Sequence, residues 1–447
     1  MAEYDLLIRG ASIIDPRKGE NQKKNIAVRE GKVVSTGDRR PEADRVIEAE
    51  GCMLSPGFID THMHDEDIDD PDTTQKALLR QGVTTCIAGN CGVGPLQDRI
   101  RPSRSDPWLN IGYLTGHTAL RQEVGITDKE RYRPANSQET AKMKDLLTEE
   151  LEKGSFGLSF GLEYNPETSW EEIIALSEVV PSFEKRWISS HIRHDGPRCL
   201  EGVDEMIRLA GYVNARVQLS HLGSMTSFGF AEQALEMLHK GRENGLDLTW
   251  DSYPYDAFCT FIGSAVFDPG FEERFQKPID ALEVGSGPYA GQRLNSDLLE
   301  TLRKEAPGTL VIAHVMNEKE MKLILKDPSC AIASDAVLFE GRGHPRAAGA
   351  FPRGIRWLRE EGLSWSEAVA HATLIPSMMG WLERGEIREG MNADLVIFDP
   401  EKFCDMATFE DPLKPPRGIK YVIVNGKIAV ENGEVAREPA GNFLFRS

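Results

Sequence analysis

The sequence predicts an α/β fold, a distorted (β/α)8 TIM-like barrel with a small β-sandwich domain built from both chain termini. Three observations lead there. The middle of the chain alternates short apolar runs with amphipathic helical stretches, the pattern of parallel strands joined by crossover helices. Both ends consist of β-type runs separated by Gly and Pro turns. Neither end is long enough for a stable sheet domain of its own, so the two are expected to pack together with the middle as an insert.

At the front, the β-type runs are Leu6–Ile8, Ser12–Ile14, Asn25–Val28, Val33–Ser35 and Val46–Ala49. At the far end, Asp394–Phe398 and Tyr421–Val424 read as strands. Asn425-Gly426 and Asn432-Gly433 read as hairpin turns, because the tight turn that matches strand twist needs positive φ at both central residues. The expected division is residues 1–55 plus 390–447 for the sandwich and 56–389 for the barrel.

Candidate strands of the middle are Phe58–Thr61, Val83–Ala88, Asn110–Thr115, Phe156–Phe160, Trp187–His191, Val217–His221, Asp247–Asp251, Leu310–His314 and Cys330–Ser334. Thr140–Lys153 and Ala231–Asn244 are among the helices between them. That is one strand too many for a barrel. Leu310–His314 is the expected extra, since the stretch before it is irregular and rich in Gly and Pro. Residues 259–308 are expected to form a lid over the barrel mouth.

Composition narrows the function. The 447 residues, 40% hydrophobic and 28% charged, suit a soluble globular protein with one large barrel or two domains. A net charge of −19 argues against nucleic acid or an anionic membrane as partner. It leaves room for a small anionic substrate met by local cations. The first residues lack the basic start and apolar core of a signal peptide, and no apolar run is long enough to cross a bilayer. Seven scattered cysteines do not form a disulfide framework, which points to a reducing, cytoplasmic setting. The sequence leaves the oligomeric state open, a homo-oligomer included.

The chemistry starts at Ser55–Asp65. A short apolar strand ends in His62 and His64, which point to the same side of an extended chain and so can share a cation. Other predicted strands end on ligand-type residues too: His191, His221 and Asp335, with Cys91 in a glycine-rich turn after the second strand. Working residues of such barrels sit at these strand ends, so the coincidence predicts a metal centre. His117, His314 and His194 compete as ligands, as do Asp65, Glu66 and Asp67. His239 and His371 read as structural, and Cys52, Cys86, Cys199, Cys259, Cys330 and Cys404 as small buried hydrophobes. Arg346, in a Gly/Pro-rich loop, is the first candidate to grip a substrate carboxylate, with Arg193 the second.

These residues resemble the amidohydrolase superfamily and, within it, the N-acyl-D-amino-acid deacylases (D-aminoacylases). Pro56–His64 and Gly390–Pro400 carry the superfamily part. Gly89–Val93, Gly116-His117, Gly157–Tyr164, His191–Arg193, Leu219–His221, Tyr253–Tyr255, Ser334-Asp335, His344–Arg346 and Phe351–Arg353 carry the subfamily part. The resemblance implies a zinc-dependent enzyme that hydrolyses the amide bond of an N-acyl-D-amino acid, releasing a carboxylate and the free D-amino acid. It implies one tight zinc held by Cys91, His191 and His221. A second, weaker divalent-metal position would lie among His62, His64 and Asp335, with Asp335 as the acid/base and Arg346 and Tyr253 on the substrate carboxylate.

Three positions depart from the family pattern. Glu66 stands where Asp is usual, Gly223 where Lys is frequent, and His194-Asp195-Gly196 where an acidic pair is usual. The metal set is intact and the substrate-recognition set is altered. The nearest rival is a cyclic-amide hydrolase of the dihydroorotase or hydantoinase type. Those enzymes usually bridge two metals with a carboxylated lysine on the fourth strand, and Phe156–Leu162 contains none. A deaminase of the superfamily is weaker, since the Cys91 loop is not expected there. A non-catalytic barrel scaffold would have no use for the complete ligand set.

Overall fold

The computed structural model describes residues 3–19, 21–35, 37, 42–65, 71–100 and 106–447. Nearly all the strands predicted for the middle of the chain form, and they pair in parallel and in sequence order. Phe58–Met63, Val83–Ala88 and Asn110–Tyr113 make one sheet. Thr115–Gly116, Gly157–Gly161, Trp187–His191, Val217–Leu219, Leu248–Ser252 and Cys330–Ile332 make the next. Only Leu114 separates the two sheets along the third strand, and an isolated parallel bridge from Met63 to Ala336 joins the last strand's end to the first. The strands are buried on both faces, which is why they read as continuous apolar runs and not as alternation.

Helices cover this barrel-like layer, and their ends follow local chemistry. Ser137–Glu152 starts at Asn136, whose side chain accepts from the Glu139 N–H while Glu139 reaches back, a capping box. Cys199–Val213 stops at Asn214, which takes a left-handed conformation with φ 48°. Among the described residues, no helix is long and apolar enough to cross a membrane.

The surplus strand, Leu310–Ala313, stays outside the parallel set. It is the centre of an antiparallel sheet between Phe258–Phe261 and Leu282–Val284. The expectation of irregular structure from 259 to 308 is therefore corrected. Gly and Pro punctuate the stretch, but its aromatic residues pack on one another. Phe271 and Phe275 lie 4.8 Å apart between ring centroids, and Phe258 and Phe275 5.8 Å. The stretch also forms the helices Phe271–Phe275 and Ser296–Glu305.

The two chain ends meet. Leu395–Phe398 pairs antiparallel with Met53–Pro56 in one sheet, and Tyr4–Arg9 is central to a second. Leu6, Ile8, Val28 and Ile47 of the second sheet share a hydrophobic cluster with Leu54, Leu395, Ile397 and Ile423 of the first. Both Asn-Gly pairs turn as predicted, with φ of 50° and 80° at Asn425 and Gly426 and 50° and 87° at Asn432 and Gly433.

Candidate metal centre

The ends of the parallel strands bring the ligand-type residues together. His62 and His64 close the first strand, and the Asp335 N–H donates to the His62 carbonyl at 2.8 Å. The His64 N–H donates to the Ala336 carbonyl at 2.9 Å. Asp60 adds a side-chain clasp, with Oδ1 accepting from the N–H groups of His62 and Ser334, each at 3.1 Å. The Cys91 turn is fixed from two sides: Gly92 N–H donates to Ser159 Oγ at 3.1 Å, and the Thr118 N–H donates to the Gly92 carbonyl at 2.8 Å. Gly92 has φ 79°, and a side chain there would run into the backbone of Gly161.

Three of the residues so placed hold strained backbone. Cys91, His221 and Asp335 have φ of 53°, 34° and 47°. A side-chain-bearing residue in this region costs roughly 1–2 kcal/mol, and such strain is concentrated at functional sites.

Among the described residues two groups of side chains converge closely enough to hold an ion: His62, Cys91 and His221, and His62, His64 and Asp335. Cys91 Sγ lies 3.3 Å from His62 Nε2 and 3.5 Å from His221 Nε2. Asp335 Oδ1 lies 3.4 Å from His62 Nε2 and 3.2 Å from His64 Nε2. His191 is alongside, its ring 4.5 Å from that of His221 between centroids. The expected first set was Cys91, His191 and His221. The tightest convergence has His62 in the place of His191, whose Nε2 lies 2.8 Å from Glu163 Oε2. That leaves His191 Nδ1 buried without a hydrogen-bond partner. A thiol, four imidazoles and a carboxylate around one spot, with an orphaned ring nitrogen among them, suit a divalent metal of the zinc type.

The electrostatics agree. Burial pushes the Cys91 thiol up, but the His62 charge and the neighbouring His191 and His221 imidazoles outweigh it and hold the thiol well below its ordinary value. Burial opposes charge on His62 and His191 as well. The Cys91 thiolate, with Asp251 and Asp335 for His62 and Glu163 for His191, carries each imidazole up to about 10. Burial likewise disfavours the Asp335 carboxylate, and Arg346 and His62 bring it well below the usual range.

A small cavity opens beside these groups, lined among others by Glu163, His191, His221, Tyr253, Cys259 and Asp335. Arg346 sits behind that lining. Its Nη1 is 2.9 Å from Asp335 Oδ2, its Nη2 donates to the Cys259 carbonyl at 3.2 Å, and its guanidinium lies 4.6 Å from the Tyr253 ring centroid. Arg346 Nε and Tyr253 Oη are buried without hydrogen-bond partners. Arg193 is engaged elsewhere: it donates to both oxygens of Glu205 and to the Pro166 carbonyl. Those bonds hold its side chain away from the cavity lining.

The competing ligands are also accounted for. His117 is buried against Glu172 at 2.8 Å, and His314 faces Glu283 at 3.2 Å. His239 bonds Asp327 and His371 bonds the Cys330 carbonyl. Asp65 accepts from Gln75 and Tyr113, while Glu66 and Asp67 lie outside the described residues. His194 is half-buried, and Asp195 is buried 3.4 Å from Arg274. Cys259 is more than core filling, since it lines the cavity. At Gly223 a side chain is shut out: an added Cβ would lie 2.5 Å from Ser252 Oγ and 2.7 Å from the Met321 thioether.

The sequence reading missed Glu163, Ser224 and Asp251. Each faces the far nitrogen of a candidate ligand: Glu163 that of His191, Ser224 Oγ that of His221 at 2.9 Å, and Asp251 Oδ1 that of His62 at 3.3 Å. For Asp251 the signal was present, since it stands near the end of a predicted strand like the ligands themselves.

Comparison with known proteins gives the same picture. Residues 303–430 match the profile of the amidohydrolase family. The N-acyl-D-aspartate deacylase of Alcaligenes xylosoxydans xylosoxydans is 29% identical over 99% of this chain and 95% of its own. The crystal structure of the N-acyl-D-glutamate deacylase of Bordetella bronchiseptica, complexed with zinc and a phosphonate mimic of the tetrahedral intermediate, superposes with a TM-score of 0.87 at 27% identity, covering 99% of both chains. A D-aminoacylase structure gives 0.89 at 27% identity, over 99% of this chain and 100% of that one. Over almost its whole length the chain is thus similar to N-acyl-D-amino-acid deacylases (D-aminoacylases), and part of it matches the amidohydrolase family.

Proposed function

We propose that the protein is a metal-dependent hydrolase of the amide bond of N-acyl-D-amino acids, releasing a carboxylate and the free D-amino acid. The observation that carries the reading is the meeting of Cys91, His62 and His221 with Asp335, itself paired to the buried Arg346. Relatives named for acyl derivatives of D-aspartate and D-glutamate support the substrate class.

Cys91, His191 and His221 would hold one tight zinc, and His62, His64 and Asp335 would surround a second, weaker divalent-metal position. A divalent metal there supplies Lewis acidity, lowering the pKa of water toward ~7 and polarising the amide carbonyl. The remaining work belongs to the chain. Asp335 takes the proton of the attacking water on a carboxylate oxygen and returns it to the leaving nitrogen, which departs as neutral amine. Arg346, whose Nε is an unpaired donor, meets the substrate carboxylate together with Tyr253 Oη. The buried lining keeps bulk water from the reacting groups.

The architecture read here is a (β/α)8 barrel over 56–389, closed through the Met63–Ala336 bridge, with a sandwich of 1–55 and 390–447. Residues 259–308 act as its lid, since Cys259, Thr260 and Val266 line the cavity. The cyclic-amide reading lacks support at the fourth strand. Gly157–Gly161 holds no lysine, and Lys153, before it, bonds Asp98 and Glu150.

Assay of N-acetyl and N-formyl derivatives of D- and L-amino acids, with free amine as readout, tests the proposal. Release from the D-series after zinc loading is the expected result. Turnover confined to dihydroorotate or hydantoin would replace it with the cyclic-amide alternative.

A further inference from the structure

We infer that Asp251 is the positioning carboxylate of the metal centre, one group that orients ligands of both metal positions. The inference rests on the metal-centre reading above. Asp251 belongs to the strand Leu248–Ser252 and is fully buried, with the candidate ligands His62 and His221 as its neighbours. Its Oδ1 faces two candidate ligands. It accepts from the His221 N–H at 2.9 Å and stands 3.3 Å from His62 Nδ1. His62 Nε2 points the other way, toward Cys91 Sγ and Asp335.

Two consequences follow. A carboxylate behind the distal nitrogen of an imidazole fixes the tautomer and ring orientation and makes the near nitrogen a better donor to a cation. Because His62 is shared by both convergent groups, that effect reaches both positions. The bond to the His221 N–H meanwhile holds that residue in its left-handed conformation, φ 34°, from which its Nε2 faces Cys91.

Asp251 is itself aimed by a buried relay on the neighbouring strands. Gln218 Nε2 donates to Asp251 Oδ2 at 2.6 Å, and Trp187 Nε1 donates to Gln218 Oε1 at 3.0 Å. The indole N–H can only donate, so it compels the Gln218 oxygen to face Trp187 and the amide N–H to face Asp251. With one oxygen on Gln218, the other is left for His221 and His62. Trp187, Gln218, Asp251 and His62 are each no more than 1% exposed, so water does not substitute for any link.

Metal affinity tests this, measured on the purified metal-free chain by zinc competition with a chromophoric chelator. Cobalt loading reads the thiolate charge-transfer band at the same time. Asp251→Asn, which keeps the shape and loses the charge, is expected to weaken the first zinc by roughly 10–100-fold while the Cys91 thiolate band persists. Asp251→Glu is expected to recover part of the loss. Gln218→Met, which frees Oδ2, is expected to weaken zinc in the same direction but less. Zinc affinity within about threefold of wild type in folded Asp251→Asn overturns the inference. If that variant fails to fold, unchanged affinity in Gln218→Met overturns it instead. A wild-type chain that takes up neither zinc nor cobalt strikes down the metal-centre reading itself, a separate failure.

Discussion

Arg346 Nη1 stands 2.9 Å from Asp335 Oδ2, with both side chains buried. The proposed acid/base and the proposed carboxylate grip are therefore one electrostatic unit. Removing the guanidinium has two effects of known sign. A charge-assisted contact to substrate is worth about 1.5–3 kcal/mol, so Arg346→Met should raise KM roughly 10- to 200-fold for acylated amino acids. Arg346 also lowers the Asp335 pKa. Without it, Asp335 stays protonated to higher pH, and the acidic limb of the kcat/KM profile should move upward. Initial rates from pH 5 to 9 read both effects, and an unshifted limb with unchanged KM would separate the two residues.

Asp335→Asn keeps the size and removes the base. Zinc content is expected to stay near one equivalent, because Cys91, His191 and His221 remain, while turnover falls by roughly 10²- to 10⁴-fold. Metal analysis beside kcat decides between this and a purely ligating role, in which zinc and turnover would fall together.

Cys91→Ala is expected to lose the tight zinc. The thiolate is the only anionic donor of the expected first set, and its sulfur is the atom that both His62 Nε2 and His221 Nε2 face. Alanine leaves imidazoles that repel one another when protonated. A variant that still copurifies with a full equivalent of zinc would place the ion elsewhere.

The strand ends were legible because each carried a polar residue after an apolar run, and five such ends coincide only in a barrel-like layer. His62, His64, Cys91, His191, His221 and Asp335 all came from that one rule. What stayed hidden needed the third dimension. Arg193 lies in a matching motif, yet its side chain turns to Glu205, a partner twelve residues away on a helix. Glu163 meets the Nε2 of His191 through a contact between the ends of neighbouring strands, which no spacing reveals. The stretch from 259 to 308 looked irregular because glycine and proline are visible in a sequence, while the packing of Phe258, Phe271 and Phe275 is not.

Metal uptake should release protons and strengthen with pH. In the metal-free chain His62 and His191 are raised to about 10, so at neutral pH both carry protons that a cation must displace. The raised values mean that the imidazolium–thiolate cluster stabilises the metal-free fold fully below the unfolded histidine value of about 6.5, and that this contribution disappears as pH passes about 10. Zinc affinity, measured by chelator competition between pH 6.5 and 9, is therefore expected to rise by up to about tenfold per displaced proton per pH unit. A flat profile would mean the imidazoles are already neutral before the metal arrives.

Gly223 explains one departure from the family pattern in steric terms. A Cβ at this position would sit 2.5 Å from Ser252 Oγ and 2.7 Å from Met321 Cε and Sδ, closer than side chains tolerate. Met321 is itself held, since its sulfur accepts from Ser227 Oγ at 3.1 Å. Gly223→Ala should therefore cost about 1–3 kcal/mol of stability as Met321 and the end of the strand Leu248–Ser252 give way. Gly223→Lys, the family's frequent residue, should cost more and gain no carboxylate contact, because the helix Glu318–Lys326 occupies the space its side chain would need. Thermal unfolding of both variants, with KM of the folded fraction, checks the point. A lysine variant as stable as wild type with a lowered KM would show that Met321 swings aside and that the pocket keeps room for a second cation.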